Sequence, residues 1–253
     1  GSDTTAVALA AAIGADCEIY SDVDGVYSAD PREVPEAVRL DLLSYGEMQA
    51  LARAGAKVLH AQAVQLAEER GIAIYARHSH PDVRGETVIR RNPALGAGVR
   101  AVASETSVLA VRLSLRTGSS RHVPTLIREV GPLGLRYLRI DERGAAGFLS
   151  QTQRTDSSEV LARLGALARG LAGDLAALEC REDVGLVSCI GSGLEDNPEL
   201  VVRACERLRA ADIAVRELHS DTHSLSFVVP GPQRVRAVQV LHDAFLARRS
   251  ANT

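Results

Sequence analysis

The chain has 253 residues, 46% hydrophobic and 24% charged, with a formal net charge of −3. That balance leaves no basic surface for nucleic acid or an anionic membrane, and with aromatics at 3% and no Trp it also excludes stacking platforms for bases. The core must come from Ala, Val, Leu and Ile, in a length that suits one large domain or two to three small ones.

Taken in chain order, Ser2, Asp3, Thr4 and Thr5 offer N-caps for an alanine-rich helix over Ala6 to Ile13, closed by Gly14. Glu18 to Ser21 reads as a short strand, and Asp22 to Arg32 as a loop rich in Asp, Gly and Pro. Ser44 and Glu47 form a capping box for a helix ending near Gly55. A second helix is expected from about His60 to Arg70, stopping at Gly71. Ile72 to Ala76 and Glu86 to Ile89 read as strands, so this region is an α/β layer. Pro93 to Gly98 reads as a boundary.

Beyond it come a strand (Val108 to Leu115), a short helix (Val123 to Val130), strands at Leu135 to Ile140 and Ala146 to Leu149, a helix (Ser157 to Leu171) and a strand (Leu175 to Cys180). That order, βαββαβ, then begins again. Val184 to Ile190 is a strand, Pro198 to Ala211 a helix with Pro in its first turn, Ile213 to Leu218 and Leu225 to Val229 strands, and Gln233 to Leu246 a helix. The second half is thus a divergent internal repeat with a period of roughly 75 residues.

The segment Ser21-Asp22-Val23-Asp24-Gly25-Val26-Tyr27-Ser28-Ala29-Asp30-Pro31-Arg32 places three acids and an Arg just beyond a strand end. Ligands of open α/β sheets bind there. Acids at that place hold Mg²⁺ or ribose hydroxyls, and Arg neutralises phosphate; equally, an Asx-rich turn caps itself with these side chains.

The same segment is very similar to the nucleotide-binding loop of aspartate kinases, in the amino-acid kinase superfamily. Three flanking motifs agree in order and spacing: Gly1-Ser2-Asp3-Thr4-Thr5-Ala6, Ser44-Tyr45-Gly46-Glu47-Met48, and Gly55-Ala56-Lys57-Val58-Leu59-His60. The resemblance implies that Ser21, Asp22, Tyr27, Arg32, Lys57 and Val58 line an ATP site. Ser2 would touch the aspartate substrate, and Asp3 and Lys57 would be catalytic. ATP and Mg²⁺ are the implied cofactors. Ala61-Gln62 departs from the family's Pro-Arg, and Ser21 stands where Thr is common. The family's Lys-Phe-Gly-Gly segment is absent, so the chain is expected to be the C-terminal portion of such an enzyme.

The second half resembles the family's paired ACT modules, more closely over Val184 to Val229 than over Val108 to Cys180. The implied fold is a partial amino-acid kinase (Rossmann-like, three-layer) domain over 1–95, followed by two ferredoxin-like βαββαβ ACT modules over 100–181 and 182–253. ACT pairs in the family bind feedback amino acids, lysine or threonine, between two chains. The implied effector residues are Gly118, Ser119, Asn197, Ser220 and Thr222. Arg116 to Ser120 lacks the usual Asp-x-Pro-Gly, which puts effector binding at the first module in doubt.

The expected activity is ATP-dependent phosphorylation of the L-aspartate side chain, at the head of lysine, threonine and methionine synthesis. A non-catalytic, amino-acid-sensing regulatory subunit is the alternative. A homodimer or hetero-oligomer is expected, without nucleic-acid or membrane partners.

The four cysteines, Cys17, Cys180, Cys189 and Cys205, form no CxxC pair and read as small buried hydrophobes in a reducing cytoplasm. No stretch approaches the ~20 apolar residues of a membrane span. His78, His80, His219 and His223 read as solvated or capping histidines rather than metal ligands. Gly191-Ser192-Gly193 reads as a turn after a strand.

Overall fold

The alanine-rich N-terminal run forms α1 (Ser2–Ile13). Ser2 to Thr5 build its first turn rather than preceding it, which sets the Asp3 carboxylate at the positive end of the helix. Gly14, at φ 69°, ends the helix in the left-handed region that a side chain disfavours. In this computed structural model the described residues are 2–247 without 57, 92, 94, 95, 117, 119, 151–156 and 172.

After α1 come β1 (Cys17–Ser21), β2 (Leu42–Ser44), α2 (Tyr45–Arg53), α3 (Ala61–Arg70), β3 (Ile74–His78) and β4 (Glu86–Arg90). The strands lie in the order β1-β3-β4-β2. β1 runs parallel to β3, with Cys17 opposite Ile74 and Ser21 opposite His78. β4 is antiparallel to β3 and parallel to β2. The Ser44–Glu47 capping box of α2 forms as expected. The strand expected from Ile72 starts two residues later. Ile72 first closes the αL cap of α3, its N–H donating to Ala67 O at 3.1 Å. Val7, Leu43, Met48, Val64, Ile74 and Ile89 fill the layer between helices and sheet.

The remaining elements are β5 (Gly98–Leu115), α4 (Val123–Val130), β6 (Arg136–Asp141), β7 (Gly144–Ser150), α5 (Ser157–Gly170), β8 (Leu175–Ser192), α6 (Pro198–Ala210), β9 (Glu217–Asp221), β10 (Ser224–Pro230) and α7 (Arg234–Phe245). Strand order is β6-β7-β5-β8-β10-β9. The chain divides into two compact units: Gly1–Ser104, Leu186–Val229 and Gln233–Thr253 in the first, Glu105–Gly185 and Pro230–Pro232 in the second. β5 and β8, each 18 residues long, pass from one to the other.

In the second unit, β7 pairs antiparallel with β6 and with residues 108–114 of β5. Leu109, Leu113, Leu126, Leu149 and Leu164 form its core. In the first unit a further core gathers Val102, Val187, Leu208, Phe227, Val238 and Leu241. Two separate strands were expected across 175–190, yet β8 is continuous. The charged run Glu179 to Asp183 is exposed and has no Gly, Pro or Asn to turn the chain. The strand expected from Ile213 begins at Glu217, because Ile213 N–H still donates to Leu208 O at 2.9 Å to finish α6.

Candidate functional site

Because α1 leads into β1 and α3 into β3, the two helix N-termini lie at the end of the sheet where these parallel strands have their C-termini. Ser21 and His78 are paired as the last residues of β1 and β3. Ser79 N–H donates to Ser21 O at 2.8 Å. Ser21 Oγ accepts from Val23 N–H at 3.3 Å, and Asp22 and Val23 face solvent.

The chain from Asp24 to Asp41 then folds back on itself. Ser28 N–H donates to Val38 O and Leu40 N–H to Val26 O, each at 2.8 Å, and Tyr27 bridges Arg39. Thr87, fully buried in β4, ties the ribbon to the sheet: its Oγ1 accepts from Val26 N–H at 2.8 Å and donates to Leu40 O at 2.7 Å. Gly25, at φ 142°, allows this approach, since a Cβ there would stand 2.5 Å from Thr87 Oγ1.

Two of the three acids are held inside the loop. Asp24 accepts from the Tyr27 hydroxyl and from Arg39 Nη1, both at 2.9 Å. Burial pushes its carboxyl up, but Tyr27 and Arg39 outweigh this and hold it below the ordinary carboxylate range. The same surroundings, burial first and then Asp24, raise the Tyr27 hydroxyl. Asp30 takes a two-pronged contact from Arg32, Nε to Oδ1 at 3.0 Å and Nη2 to Oδ2 at 2.6 Å, which lowers its pKa. Arg32 is 86% exposed, and Asp22 is near enough to add to the rise in its pKa. Asp22 and Arg32 thus share one exposed rim at the strand ends.

At the helix N-termini, Asp3 Oδ2 accepts from His60 N–H at 3.4 Å, and Asp3 Oδ1 from the Ser2 hydroxyl at 3.3 Å. His60 is the N-cap of α3 and makes no side-chain cap of its own. Asp3 therefore joins the first turns of α1 and α3, two positive helix ends suited to an anion. Val58 packs half-buried against the core beneath. Lys57 lies outside the described residues.

The effector candidates fall in both units. Gly118, in the second unit, has the Glu142 side chain 3.3 Å from where a Cβ would stand, and Ser119 lies outside the described residues. In the first unit, Asn197 is the N-cap of α6 without a side-chain cap bond. Ser220 is exposed on β9 opposite Leu225, and Thr222 N–H donates to Asp221 Oδ1 at 2.8 Å in the following turn. The histidines are engaged locally: His78 Nδ1 accepts from His80 N–H at 2.8 Å, and His223 Nδ1 lies 3.2 Å from Gly191 O. Among the described residues no group of three or more His, Cys, Asp or Glu is arranged around a metal ion.

Sequence reasoning missed Arg39 and Thr87, which hold the loop, and Ser28 and Glu33, which carry its outer turn. A lone Arg in Ala37-Val38-Arg39 and a Thr in a β-branched strand give no signal until the fold brings the segments together.

A profile of the amino acid kinase family matches residues 1–77, and one of the ACT domain matches 187–245. The aspartokinase of Mycolicibacterium smegmatis is 33% identical over 97% of this chain and 60% of its own length. Aspartokinase 2 of Bacillus subtilis is 33% identical over 97% and 61%. The chain thus spans about three fifths of the length of the curated relatives it matches. E. coli aspartokinase III solved with aspartate and ADP superposes with a TM-score of 0.84 at 28% identity, over 96% of this chain and 55% of that one. Its complex with lysine and aspartate gives 0.75 at 26% identity, over 97% and 55%. An α/β layer with helix N-termini at its strand ends, followed by repeated βαββα elements, is thereby matched along nearly the whole chain by aspartokinases.

Proposed function

We propose that this chain carries the nucleotide-binding and amino-acid-sensing parts of an aspartate kinase, which phosphorylates the L-aspartate side-chain carboxylate to 4-phospho-L-aspartate. The observation that carries the reading is the Asp3–His60 contact. It joins two helix N-termini at the strand ends where Asp22 and Arg32 share a rim. Phosphoryl transfer asks the protein mainly to position groups and offset charge. Ser21, Asp22, Tyr27, Arg32, Lys57 and Val58 would hold ATP, Ser2 would meet aspartate, and Asp3 and Lys57 would orient the transfer. ATP supplies the phosphoryl group, and Mg²⁺ arrives on its phosphates, the usual mode for that ion. ADP and aspartate in the E. coli relative support this assignment.

Control would act through two ACT modules. Glu105–Gly185 forms one. Residues 98–104 with the chain from Leu186 onward form the other, so the first is inserted into the second. Lysine in the E. coli relative supports a feedback amino acid as effector, with Gly118, Ser119, Asn197, Ser220 and Thr222 as its contacts. Assembly of more than one chain and a cytoplasmic setting, suited to four free cysteines, belong to the same reading.

Titration calorimetry of this chain with Mg·ADP tests it. Saturable binding is expected, weakened roughly tenfold by Asp22→Ala, Arg32→Ala or Lys57→Ala, the scale of losing one charge-assisted contact. ATP-dependent aspartyl hydroxamate formation should follow when the complementary segment of a relative is added. No saturable nucleotide binding, or variants that bind as tightly as the parent, would overturn the assignment.

A further inference from the structure

The outer turn of the candidate nucleotide loop rests on the last helix of the chain. In α7, Arg234, Val238 and His242 recur every four residues and so share one face. Arg234 reaches Glu33 with both terminal nitrogens, Nη1 to Oε2 at 3.1 Å and Nη2 to Oε1 at 2.8 Å, and also contacts Ser104 Oγ. The pair is largely shielded, at 13% and 21% side-chain exposure. Gln239 Nε2 donates to Glu33 O at 2.8 Å. His242 Nε2 lies 3.0 Å from Ser28 Oγ, with both residues buried. Val102 N–H donates to Ser28 O at 2.7 Å, and Ala29 and Val34 pack into the same core as Val238 and Leu241.

Glu33 belongs to a tight turn that contains the Asp30–Arg32 contact, since Glu33 N–H and Val34 N–H both donate to Asp30 O at 2.9 Å. Arg234 also acts on Asp30 electrostatically, adding to what Arg32 does. The place of Arg32 is therefore set from two sides. Thr87 and Arg39 hold the inner end of the loop, and α7 holds its outer turn.

We propose that Arg234, His242 and Gln239 are positioning residues for the nucleotide loop, so that a change in the setting of α7 is read directly as a change in nucleotide affinity. This rests on the nucleotide assignment above and goes beyond it, because it places determinants of that site about two hundred residues away in sequence, on the module read as the sensor. A two-pronged Arg–carboxylate contact is direction-specific, so tilting or sliding α7 moves Glu33 and the turn with it. The coupling is reciprocal: nucleotide bound against Arg32 would bias α7 in return.

The test compares the full chain with Arg234→Met, Arg234→Lys and Glu33→Gln, each first checked for an unchanged circular dichroism spectrum. Two readouts are taken: affinity for Mg·ADP, and amide hydrogen exchange over residues 22–41. Loss of the clamp should weaken ADP at least about fivefold, the lower edge of common coupling energies. It should also speed exchange in 22–41 while leaving α1 and α3 protected. Lys at 234 should restore part of both, as a single-pronged cation does. If exchange rises but the parent chain binds no ADP, the loop is positioned as inferred and the nucleotide reading has failed. If ADP binds the parent and every variant equally and exchange is unchanged, the positioning role is overturned. Partial unfolding of Arg234→Met leaves Glu33→Gln, which keeps size and shape, to decide the same two outcomes.

Discussion

His242 is 2% exposed; among the described residues its Nε2 meets Ser28 Oγ and its Nδ1 has no hydrogen-bond partner. An imidazolium needs acceptors at both nitrogens, so burial lowers its pKa, against the weaker pull of Asp243 and Glu36. The consequence for stability has a definite sign. The unfolded chain protonates this ring near its ordinary value of 6.5, while the folded chain resists until a lower pH. Between those points the unfolded state binds more protons, so stability falls as pH falls, by at most about 1.4 kcal/mol per pH unit. Above pH 6.5 both states are neutral and the contribution is flat. Urea unfolding at a series of pH values from 7.5 to 5 checks this. His242→Gln, which keeps a polar partner for Ser28 but does not titrate, should flatten the decline below pH 6.5. An equal decline in both proteins would show that the proton is taken up elsewhere. The charged pairs Asp30–Arg32 and Arg181–Asp183 are exposed and add little to such a profile.

At the scale of single elements, α2 shows local and distant demands meeting on one side chain. Its capping box has Ser44 Oγ accepting from Glu47 N–H at 3.2 Å and Glu47 Oε2 accepting from Ser44 N–H at 3.0 Å. Glu47 is fully buried, and its other oxygen accepts from Ser192 Oγ at 3.1 Å, with Arg100 Nη1 4.0 Å from Oε2. Ser44→Ala removes only a cap and should cost about 1 kcal/mol. Glu47→Ala also strips Ser192 of its acceptor and Arg100 of its counter-charge, and should cost roughly 3 kcal/mol. Denaturant midpoints of the two variants decide it, and equal losses would reduce Glu47 to its capping role. The cap itself was legible from Ser44 and Glu47 three residues apart, as were α1, α3 and the αL stop at Gly71, because such signals are local. β2 was not, since three residues, Leu42-Leu43-Ser44, have no period to read. Nor was the continuity of β8, where a charged run hid an unbroken strand. The acids of the loop were legible as a cluster. Their division of labour was not, because Asp24 is claimed by Arg39 fifteen residues on and Asp30 sits in a turn held by Arg234.

Across the whole molecule each unit has core residues of its own, and the chain passes between the units on β5 and β8 and again on either side of Pro230–Pro232. Leu109, Leu113, Leu126 and Leu164 belong to the core of the second unit. The first unit buries Val7, Leu43 and Ile74 in one core and Val187, Phe227 and Val238 in another. The crossings into and out of Glu105–Gly185 run along β5 and β8, which are neighbours in the sheet, with a Cβ at Gly191 standing 3.2 Å from Val99 Cα. An inserted unit with its own core and ends on adjacent strands is a removable one. Replacing residues 105–185 with a six-residue Gly-Ser linker should therefore leave a chain that unfolds in a single transition. Joining adjacent strands with a short flexible loop adds little closure entropy. The proposed nucleotide loop and its partners on α7 all lie in what remains, so affinity for Mg·ADP should stay within about twofold of the parent, a difference of about 0.4 kcal/mol. Any response of that affinity to amino acids bound by the inserted module should vanish. Calorimetric unfolding and ADP titration of the shortened chain provide the measurement. A shortened chain that fails to fold, or folds but loses nucleotide, would mean that Glu105–Gly185 is an integral support of the site rather than a sensor inserted beside it.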